Sequence, residues 1–294
     1  MKSGFLVLDK ESGFTSHDVV AIARKALGER RVGHAGTLDP FATGVLVLGV
    51  GIGTRFLPYI TDGRKKYWGT IRLGSATTTD DLTGEVVSEN LEALKNISEE
   101  AIREELGKQV GEIYQRPSSY SAIKVGGKRA YELARAGEEV QLKERHISIY
   151  SLEIMEMVRH EQGIDVKITV ACSAGTFIRS IARDLGAVLK VGGHLIALRR
   201  EEVAPFSLID AVSIEQVKSA PRLLSVDDVI SRIFHRRDLT LEEVASVSHG
   251  RAIELGDERS AKCAGFTPDG EFIALLAEKG GRAQPIVVVS TLTS

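Results

Sequence analysis

Residues 33–50 of the chain read GHAGTLDPFATGVLVLGV, an irregular segment followed directly by an apolar run. The glycines and the proline of residues 33–44 argue against a long helix there. The run Val45–Val50 is short, rich in valine and flanked by glycines, which predicts a buried strand. The pattern therefore places one imidazole, His34, and one carboxylate, Asp39, on a loop at the mouth of a core strand, where a scaffold can hold reactive groups rigidly.

The residues of this loop also fit a second interpretation. Asp-Pro commonly begins a turn, and glycines are frequent in turns, so Asp39-Pro40 is equally what a plain surface turn looks like. Short motifs are weak signals when they stand alone. Choosing between a site and a turn therefore requires the rest of the chain.

The composition is that of a globular protein. The 294 residues suffice for two domains or one large one, and the values of 43% hydrophobic and 27% charged residues are ordinary. The two cysteines, Cys172 and Cys263, cannot form a zinc site alone and are expected to be buried thiols. No segment approaches the roughly 20 apolar residues of a membrane span, and the first apolar run is too short for a signal peptide. We therefore expect a cytoplasmic protein with no membrane partner.

The charge of the chain gives a divided signal about nucleic acids. A formal net charge of −2 argues mildly against such a partner, because nucleic-acid-binding domains are often basic. A segregated surface can still present a positive face to phosphates. Basic residues cluster at Arg64–Lys66, Lys124–Arg129, Arg199–Arg200 and His235–Arg237. Each cluster is also compatible with an ordinary solvated face.

Periodicity and end signals predict alternating strands and helices, then a change of pattern near residue 238. Ser16 and Ser98 are expected to cap helices, and Ser173-Ala174-Gly175 to open a third. Short strands separated by turns follow residue 238, which favours a small β domain. Strands are predicted at 5–9, 45–50, 66–74, 146–158, 163–172, 193–203, 272–276 and 285–289, and helices at 16–27, 98–106, 173–189 and 241–248.

Several segments resemble the TruB family of tRNA pseudouridine synthases. The longest, residues 33–46, is similar to that family's catalytic-aspartate motif. The others are LDK at 8–10, KKY at 65–67, GTFIRS at 175–180 and GHLIALRR at 193–200. The resemblance is strong in blocks between Phe5 and Arg200 and loose after Ala211. A match of this length leading into a strand favours a site over a plain turn at Asp39.

The resemblance implies an α+β fold of the pseudouridine synthase type, with a mixed, mainly antiparallel central sheet and a small C-terminal PUA-like β-barrel. It implies a catalytic domain over residues 1–235, an RNA-clamping insertion at about 113–145, and the PUA-like RNA-binding domain over 238–294. The PUA-like assignment rests mainly on position and strand layout. The implied function is isomerisation of uridine 55 in the T-loop of tRNA by a monomer that binds the T-stem and loop.

Pseudouridine formation, the reaction that the resemblance implies, breaks the N1–C1′ glycosidic bond, and the base turns and rejoins through C5. An isomerisation needs no cofactor and no metal, and the sequence carries no P-loop, dinucleotide fingerprint or Cys/His metal cluster. Positive charge develops at C1′, where a carboxylate can stabilise it or trap the sugar. The resemblance assigns this role to Asp39. Attack on C1′, a glycal route and attack on the base all stay open.

Three further residues receive roles from the resemblance. Arg179 would pair with Asp39 and lower its pKa by opposite charge, although the residue alone fits a surface arginine equally well. Tyr67 would stack on the target base and help to move a proton, or is a half-buried strand tyrosine. Phe177 stands where the family often has tyrosine, so it keeps a ring contact with uracil but lacks the hydroxyl.

The remaining candidate residues contact substrate in the same interpretation. His34 would occupy the space that a flipped-out nucleotide leaves, or is a loop histidine without a role. Leu198 would lie under the uracil, or is a core leucine. Lys10 would contact RNA or brace the site, and a surface lysine is the equal alternative.

Two rival functions remain at this point. One is a non-catalytic RNA-binding or RNA-folding protein, which the presence of Asp39, Tyr67 and Arg179 disfavours. The other is a hydrolytic nucleosidase, which requires a second acid and an activated water. The sequence offers no clear candidate for that acid.

Overall fold

The computed structural model describes residues 2–138, 140–256 and 261–289. Residues 1, 139, 257–260 and 290–294, which belong to the predicted domain ranges, lie outside the described residues. The strands are β1 Gly4–Lys10, β2 Val32–Ala35, β3 Thr43–Val50, β4 Lys65–Leu73, β5 Ser75–Thr77, β6 Val86–Glu89, β7 Gly111–Gln115, β8 Lys124–Val125, β9 Lys128–Arg129, β10 Arg145–His160, β11 Gly163–Cys172, β12 Gly193–Val203, β13 Phe206–Ser207, β14 His235–Asp238, β15 Ile253–Glu254, β16 Lys262–Phe266, β17 Phe272–Lys279 and β18 Arg282–Val288.

Helices connect many of these strands. Two short 3₁₀ segments, Gly51–Phe56 and Leu208–Asp210, complete the regular structure of the described residues. The α-helices are α1 Ser16–Leu27, α2 Leu57–Thr61, α3 Leu91–Leu94, α4 Glu99–Gly107, α5 Ala130–Arg135, α6 Ile178–Val188, α7 Ile214–Ser219, α8 Val226–Ile233 and α9 Leu241–Ser248.

The large sheet runs in the order β1-β3-β12-β4-β11-β10-β7, with β2 paired to β3 and β13 paired to β12. Its pairs are antiparallel except for β12 and β3, which run parallel where Arg199 and Arg200 meet Thr43 and Gly44. The predicted mixed, mainly antiparallel sheet is confirmed. Strand β3 lies inside this sheet and is almost completely buried, as its valine-rich sequence predicted.

The Asp39 segment connects the antiparallel pair β2 and β3. The prediction of an irregular stretch from Gly33 is wrong for its first three residues, because Val32–Ala35 pairs along β3 and ends in the buried Ala35. The true loop is 36–42. One end therefore leaves an ordered strand and the other enters a buried one, so both ends of the loop are held by the sheet.

Helix α1 packs beneath the same loop. Its N-cap is Thr15 rather than the predicted Ser16, because the Thr15 hydroxyl accepts from the Asp18 amide and the Asp18 carboxylate accepts from the Thr15 amide. The Ser16 hydroxyl is buried and instead accepts a hydrogen bond of 2.9 Å from the Leu38 amide. Ser16 therefore ties the helix to the residue before Asp39.

Helix α6 begins later than the sequence predicted. Ser173–Thr176 form a turn in which Gly175 has a φ of 83°, and the first helical residue is Ile178. A left-handed residue cannot continue a right-handed helix, so the turn postpones the helix start. The second helical residue is then Arg179, at the end of the helix nearest the Asp39 loop.

The C-terminal strands form a second sheet in the order β14-β16-β17-β18-β15. These five strands curl into a half-barrel, which agrees with the predicted PUA-like β domain. The sheet packs on the large domain through a shared apolar cluster, where the Phe56 and Phe272 rings meet edge to face with centroids 5.6 Å apart. No helix in the described ranges has the length and apolar character needed to cross a bilayer.

Candidate active site

Asp39 lies on the 36–42 loop, and its side chain is partly buried. About one third of its side chain, 33%, is accessible. The Ala42 amide donates to the Asp39 carbonyl at 3.1 Å, which closes a turn through Pro40. The turn that Asp-Pro predicted and the candidate site are therefore the same structure.

Arg179 holds both oxygens of this carboxylate. Its Nε lies 3.0 Å from Asp39 Oδ2, and its Nη2 donates to Oδ1 at 3.0 Å. Only 5% of the arginine side chain is exposed. Its remaining donors reach the carbonyls of Thr79, at 2.8 Å, and Tyr120, at 2.9 Å. The planar guanidinium is thus fixed from three sides, and it fixes the orientation of Asp39. The predicted pairing partner of Asp39 is in place.

A second carboxylate, Asp81, shares the same guanidinium. Its Oδ2 lies 3.3 Å from Arg179 Nη1, and its side chain is 5% exposed. Asp81 Oδ1 accepts hydrogen bonds from Thr79 and from the amide and hydroxyl of Thr83. The sequence does not single out Asp81, because the residue lies in a polar run, Thr77–Asp81, that looks like an ordinary loop.

The pKa of Asp39 is raised from its ordinary value. Burial is the largest cause and the charge of Asp81 adds to it, while Arg179 and Lys10 pull in the opposite direction. The expectation of a lowered pKa is therefore wrong for the net shift, although it is right for the contribution of Arg179. The guanidinium, which also serves Asp81, does not fully compensate the burial of Asp39.

Tyr67 lies on β4 with 7% of its surface exposed. Burial raises the pKa of its hydroxyl, and the nearby positive charge of Arg200 acts in the opposite direction. Tyr67 is paired in register with Arg200 of β12 on one side and Val170 of β11 on the other. The tyrosine is therefore neutral and held in the centre of the sheet, close enough to Asp39 for the two groups to interact.

Two apolar candidates lie on neighbouring elements. Leu198 is on β12, 7% exposed, opposite Gly69 of β4. Phe177 is the residue before α6 and is partly exposed. The Gln115 side chain holds the Phe177 backbone, accepting from its amide at 2.8 Å and donating to its carbonyl at 3.1 Å. Phe177 is thus anchored by its backbone, with its ring partly accessible.

His34 is on strand β2 and not on the loop. Its ring meets the His17 ring edge to face, with centroids 5.6 Å apart. Its Nδ1 is buried and has no hydrogen-bond partner in the described residues. Burial, His17 and Arg200 lower the pKa of His34, so the ring is neutral at neutral pH. A neutral, partly exposed aromatic ring fits a stacking role better than a phosphate-binding one.

Lys10 is fully buried, at 0% exposure, so the surface-lysine alternative is wrong. Its ammonium donates to the carbonyls of Glu11, Phe14 and Pro40, the last at 3.2 Å. Burial lowers the pKa of Lys10 to about 8, and the nearby Asp39 carboxylate opposes that shift. Since every donated bond runs to a backbone carbonyl, Lys10 braces the Asp39 loop and has no surface to offer RNA in this arrangement.

Two of the basic clusters, Arg64–Lys66 and Arg199–Arg200, are only partly solvated, because each contains one buried residue. Lys65 and Arg200 are 6% and 1% exposed, whereas their neighbours Lys66 and Arg199 are more accessible and pair with acids. Side chains alternate across a strand, so adjacent cations on β4 and β12 point to opposite faces of the sheet. Lys65 donates to backbone carbonyls and burial lowers its pKa to about 8.

The 113–145 region runs from β7 to the first residue of β10, and both of these strands belong to the large sheet. The hairpin β8–β9 presents the exposed Lys124 and Lys128, and α5 follows it. A cleft of about 840 Å³ lies under this region and continues to Tyr120, whose carbonyl accepts from Arg179. Within the described residues no group of three or more His, Cys, Asp or Glu side chains could hold a metal ion.

Comparison with known proteins assigns the family. The profile described as TruB family pseudouridylate synthase, N-terminal domain, matches residues 24–178, and the tRNA pseudouridine synthase II C-terminal profile matches 234–290. A tRNA pseudouridylate synthase B C-terminal profile matches 179–246. The chain belongs to the TruB family. It is therefore a pseudouridine synthase by descent, and the resemblance drawn from the motifs is confirmed.

TruB-family relatives match along almost the whole chain. The tRNA pseudouridine synthase B of Corynebacterium jeikeium is 45% identical over 98% of this chain and 94% of that protein. That of an Arthrobacter species is 46% identical over 98% of this chain and 97% of its own length. The family profiles include His34, Asp39, Tyr67, Phe177, Arg179 and Leu198 in their matched ranges.

Solved structures support the same fold. A Cbf5-Nop10-Gar1 complex contains a chain that is 25% identical, with a TM-score of 0.71 over 98% of this chain and 84% of that chain. An H/ACA RNP bound to a substrate RNA contains one with a TM-score of 0.71 at 24% identity, covering 97% of this chain and 84% of that chain, which bears on the fold alone. The TruB-family catalytic fold is thus recovered in distant proteins.

Proposed function

We propose that this chain isomerises uridine 55 in the T-loop of tRNA to pseudouridine, with Asp39 as the essential carboxylate. The observation that carries the proposal is the partly exposed carboxylate of Asp39, which lies on a loop held at both ends by strands. Both of its oxygens contact the guanidinium of a buried arginine, Arg179. The relatives that match nearly the whole chain are tRNA pseudouridine synthases, which supports tRNA as the substrate.

Asp39 acts where the glycosidic bond breaks. The N1–C1′ bond cleaves, the uracil turns, the C5–C1′ bond forms, and the C5 proton leaves while N1 gains one. Attack on C1′, a glycal route and attack on the base each need Asp39 within reach of the nucleoside. Arg179 keeps the carboxylate oriented for any of these steps, because both oxygens accept from fixed donors.

The neighbouring residues provide a pocket for a base removed from the RNA stack. Tyr67 stacks on the uracil and its hydroxyl donates to it, while Leu198 and the partly exposed Phe177 ring supply apolar contact. His34 fills the space that the flipped nucleotide leaves, consistent with its neutral, partly exposed ring. Lys10 acts on the loop backbone and not on RNA.

The chain outside this pocket is proposed to bind the rest of the RNA. Residues 1–235 make the catalytic domain, the insertion at about 113–145 clamps the RNA with exposed lysines, and 238–294 form the PUA-like RNA-binding domain. The hairpin's Lys124 and Lys128 carry the positive charge that phosphates require. Single-stranded loops with splayed bases are the usual targets of such arrangements.

The hydrolytic alternative needs a second acid near the first carboxylate. Asp81 is the carboxylate that shares Arg179 with Asp39, but it is 5% exposed and its Oδ1 accepts three hydrogen bonds from threonines. It has neither the access nor the freedom to protonate a leaving group or to activate water. The geometry therefore favours isomerisation over hydrolysis.

The test is incubation of the protein with an unmodified tRNA transcript, followed by mapping of pseudouridine at single-nucleotide resolution. We expect pseudouridine at position 55, and none in a matched transcript that carries cytidine there. Modification at another position would reject the named specificity, free uracil would favour hydrolysis, and RNA binding without any modification would support the binding-only function.

A further inference from the structure

Arg200 is the largest fully buried side chain of the described residues, and the assignments above leave it without a catalytic role. It is 1% exposed, and no carboxylate lies within 4 Å of its guanidinium in the described part of the chain. Burying a cation without a counter-ion is unfavourable, so simple packing would be better served by an apolar side chain. The burial of Arg200 must therefore be compensated by the acceptors that its guanidinium contacts.

The guanidinium bonds to the backbone on both sides of Asp39. Nη2 donates to the Gly36 carbonyl at 3.1 Å and Nη1 to the Thr37 carbonyl at 3.5 Å. On the far side of the loop, Nε donates to the Val45 carbonyl at 2.8 Å. One planar group thus ties the beginning of the loop to the strand that follows it.

The glycines of the motif fit around the same arginine. At Gly44 an added Cβ would lie 2.1 Å from the Arg200 carbonyl oxygen, and the residue has a φ of 103°. At Gly36 the φ is 83° and an added Cβ would lie 3.6 Å from Arg200 Nη1. Gly44 therefore lets the loop end press against the backbone of β12, and Gly36 lets its beginning turn over the guanidinium.

The arginine also faces the second reacting side chain. Arg200 and Tyr67 are partners in the β12–β4 register, so their side chains lie on the same face of the sheet, and the positive charge of Arg200 acts on the tyrosine hydroxyl. Arginine has donors only, so toward Arg200 the hydroxyl oxygen can act only as an acceptor. The hydroxyl proton then points away from the guanidinium.

We propose that Arg200 is a positioning residue that sets Asp39 and Tyr67 relative to each other: it holds the loop that carries the carboxylate and directs the tyrosine hydroxyl proton into the site. This role rests on the proposed function, since it describes how that same site is assembled. It separates Arg200 from Arg179, which contacts the carboxylate itself.

The test compares Arg200→Lys with wild type under single-turnover conditions, counting total pseudouridine at every position of the transcript. A lysine ammonium cannot span the Gly36, Thr37 and Val45 carbonyls. We expect the rate constant to fall by about 100-fold, as for a misplacement near 1 Å. The dissociation constant for RNA should stay within about twofold, because Arg200 has no exposed surface.

The matched control is Arg199→Lys, the next residue on β12, which faces the other side of the sheet and pairs with Asp9 at 2.7 Å. It should retain rate and affinity within about twofold. A double variant with Tyr67→Phe reports the hydroxyl contact: if Arg200 acts through Tyr67, the two losses combine to less than their product.

Wild-type turnover by folded Arg200→Lys would overturn the proposal, as would a loss explained by the unfolded fraction in a thermal melt. If the rate reductions of Arg200→Lys and Tyr67→Phe multiply fully in the double variant, the proposed action of Arg200 through the tyrosine hydroxyl is overturned. Because pseudouridine is counted at every position, the comparison stands even if the converted uridine is not number 55. That outcome would reject the named specificity alone.

Discussion

Replacing Arg179 by lysine separates the charge of this residue from its shape. The guanidinium reaches both oxygens of Asp39 at 3.0 Å and at the same time Asp81 at 3.3 Å. A lysine keeps the positive charge but has one nitrogen, which cannot span two carboxylates. We expect Arg179→Lys to fold and to retain RNA affinity, while the orientation of the Asp39 carboxylate is lost.

The size of the effect follows from the bonds removed. Losing one of the two charge-assisted hydrogen bonds to Asp39 removes about 2 kcal/mol. If this bond orients the carboxylate in the transition state, and about 1.4 kcal/mol corresponds to a tenfold rate change, the single-turnover rate falls about 30-fold. Arg179→Ala leaves the partly exposed Asp39 and the buried Asp81 without their shared partner, so its loss is larger and includes stability.

The assay is single-turnover release of tritium from C5 of labelled uridine in the transcript, with RNA affinity measured in parallel. Arg72→Lys is the matched control, because Arg72 grips Asp165 with two hydrogen bonds of 2.8 Å, but near the far end of β4. The control should keep its rate. Full activity in Arg179→Lys, or equal losses in the two variants, would refute the reasoning.

Three further predictions concern the surroundings of Asp39. Asp81→Asn removes a charge that raises the pKa of Asp39, so the acid limb of the pH–rate profile should move to lower pH; an unmoved limb would contradict this coupling. Tyr67→Phe keeps the ring and removes the hydroxyl, so it should keep RNA affinity and lose about 100-fold in rate. A wild-type rate would contradict a role of the hydroxyl in proton transfer. Lys10 has a folded pKa of about 8, below the ordinary 10.5, so the unfolded chain binds more protons between these values and stability rises with pH there. In urea melts at a series of pH values, Lys10→Met should therefore reduce this increase in the free energy of unfolding by about 3 kcal/mol. If the free energy of unfolding depends on pH as in wild type, Lys10 is not buried as a cation.

Hydrophobic periodicity and end signals were sufficient to predict those strands and helices whose bounds depend on residues nearby in sequence. Strand β12 and helix α9 have the predicted bounds, and β3 is buried as its valines indicated. The family resemblance supplied the sheet type, which periodicity does not determine. The start of α6 was misplaced because Ser173-Ala174-Gly175 resembles a helix opening, whereas the positive φ of Gly175 makes it a turn.

The candidate site was predictable where a motif named the residue and unpredictable where only packing did. The approach of Arg179 to Asp39 crosses 140 positions of sequence and came from the family motif. Asp81, by contrast, lies in a polar run whose burial depends on the contact of Asp81 with Leu195 of β12. No local pattern contains that contact.

The buried cations were the hardest part of the site to predict. Lys10, Lys65 and Arg200 look like surface residues in sequence, because basic side chains are mostly exposed. Each is buried since backbone carbonyls of the loops above it replace water as acceptors. Strand alternation on β12 does indicate that one of Arg199 and Arg200 faces inward, but it does not say which.

The most direct test of the central claim is the single-turnover rate of Asp39→Asn on the tRNA transcript, with Asp165→Asn as the matched control. The substitution keeps the shape of the side chain and removes the charge that must meet the ribose or the base. We predict wild-type RNA affinity with no detectable pseudouridine at any position, and a control at wild-type rate. Pseudouridine formed by Asp39→Asn at a rate close to that of wild type would contradict the account.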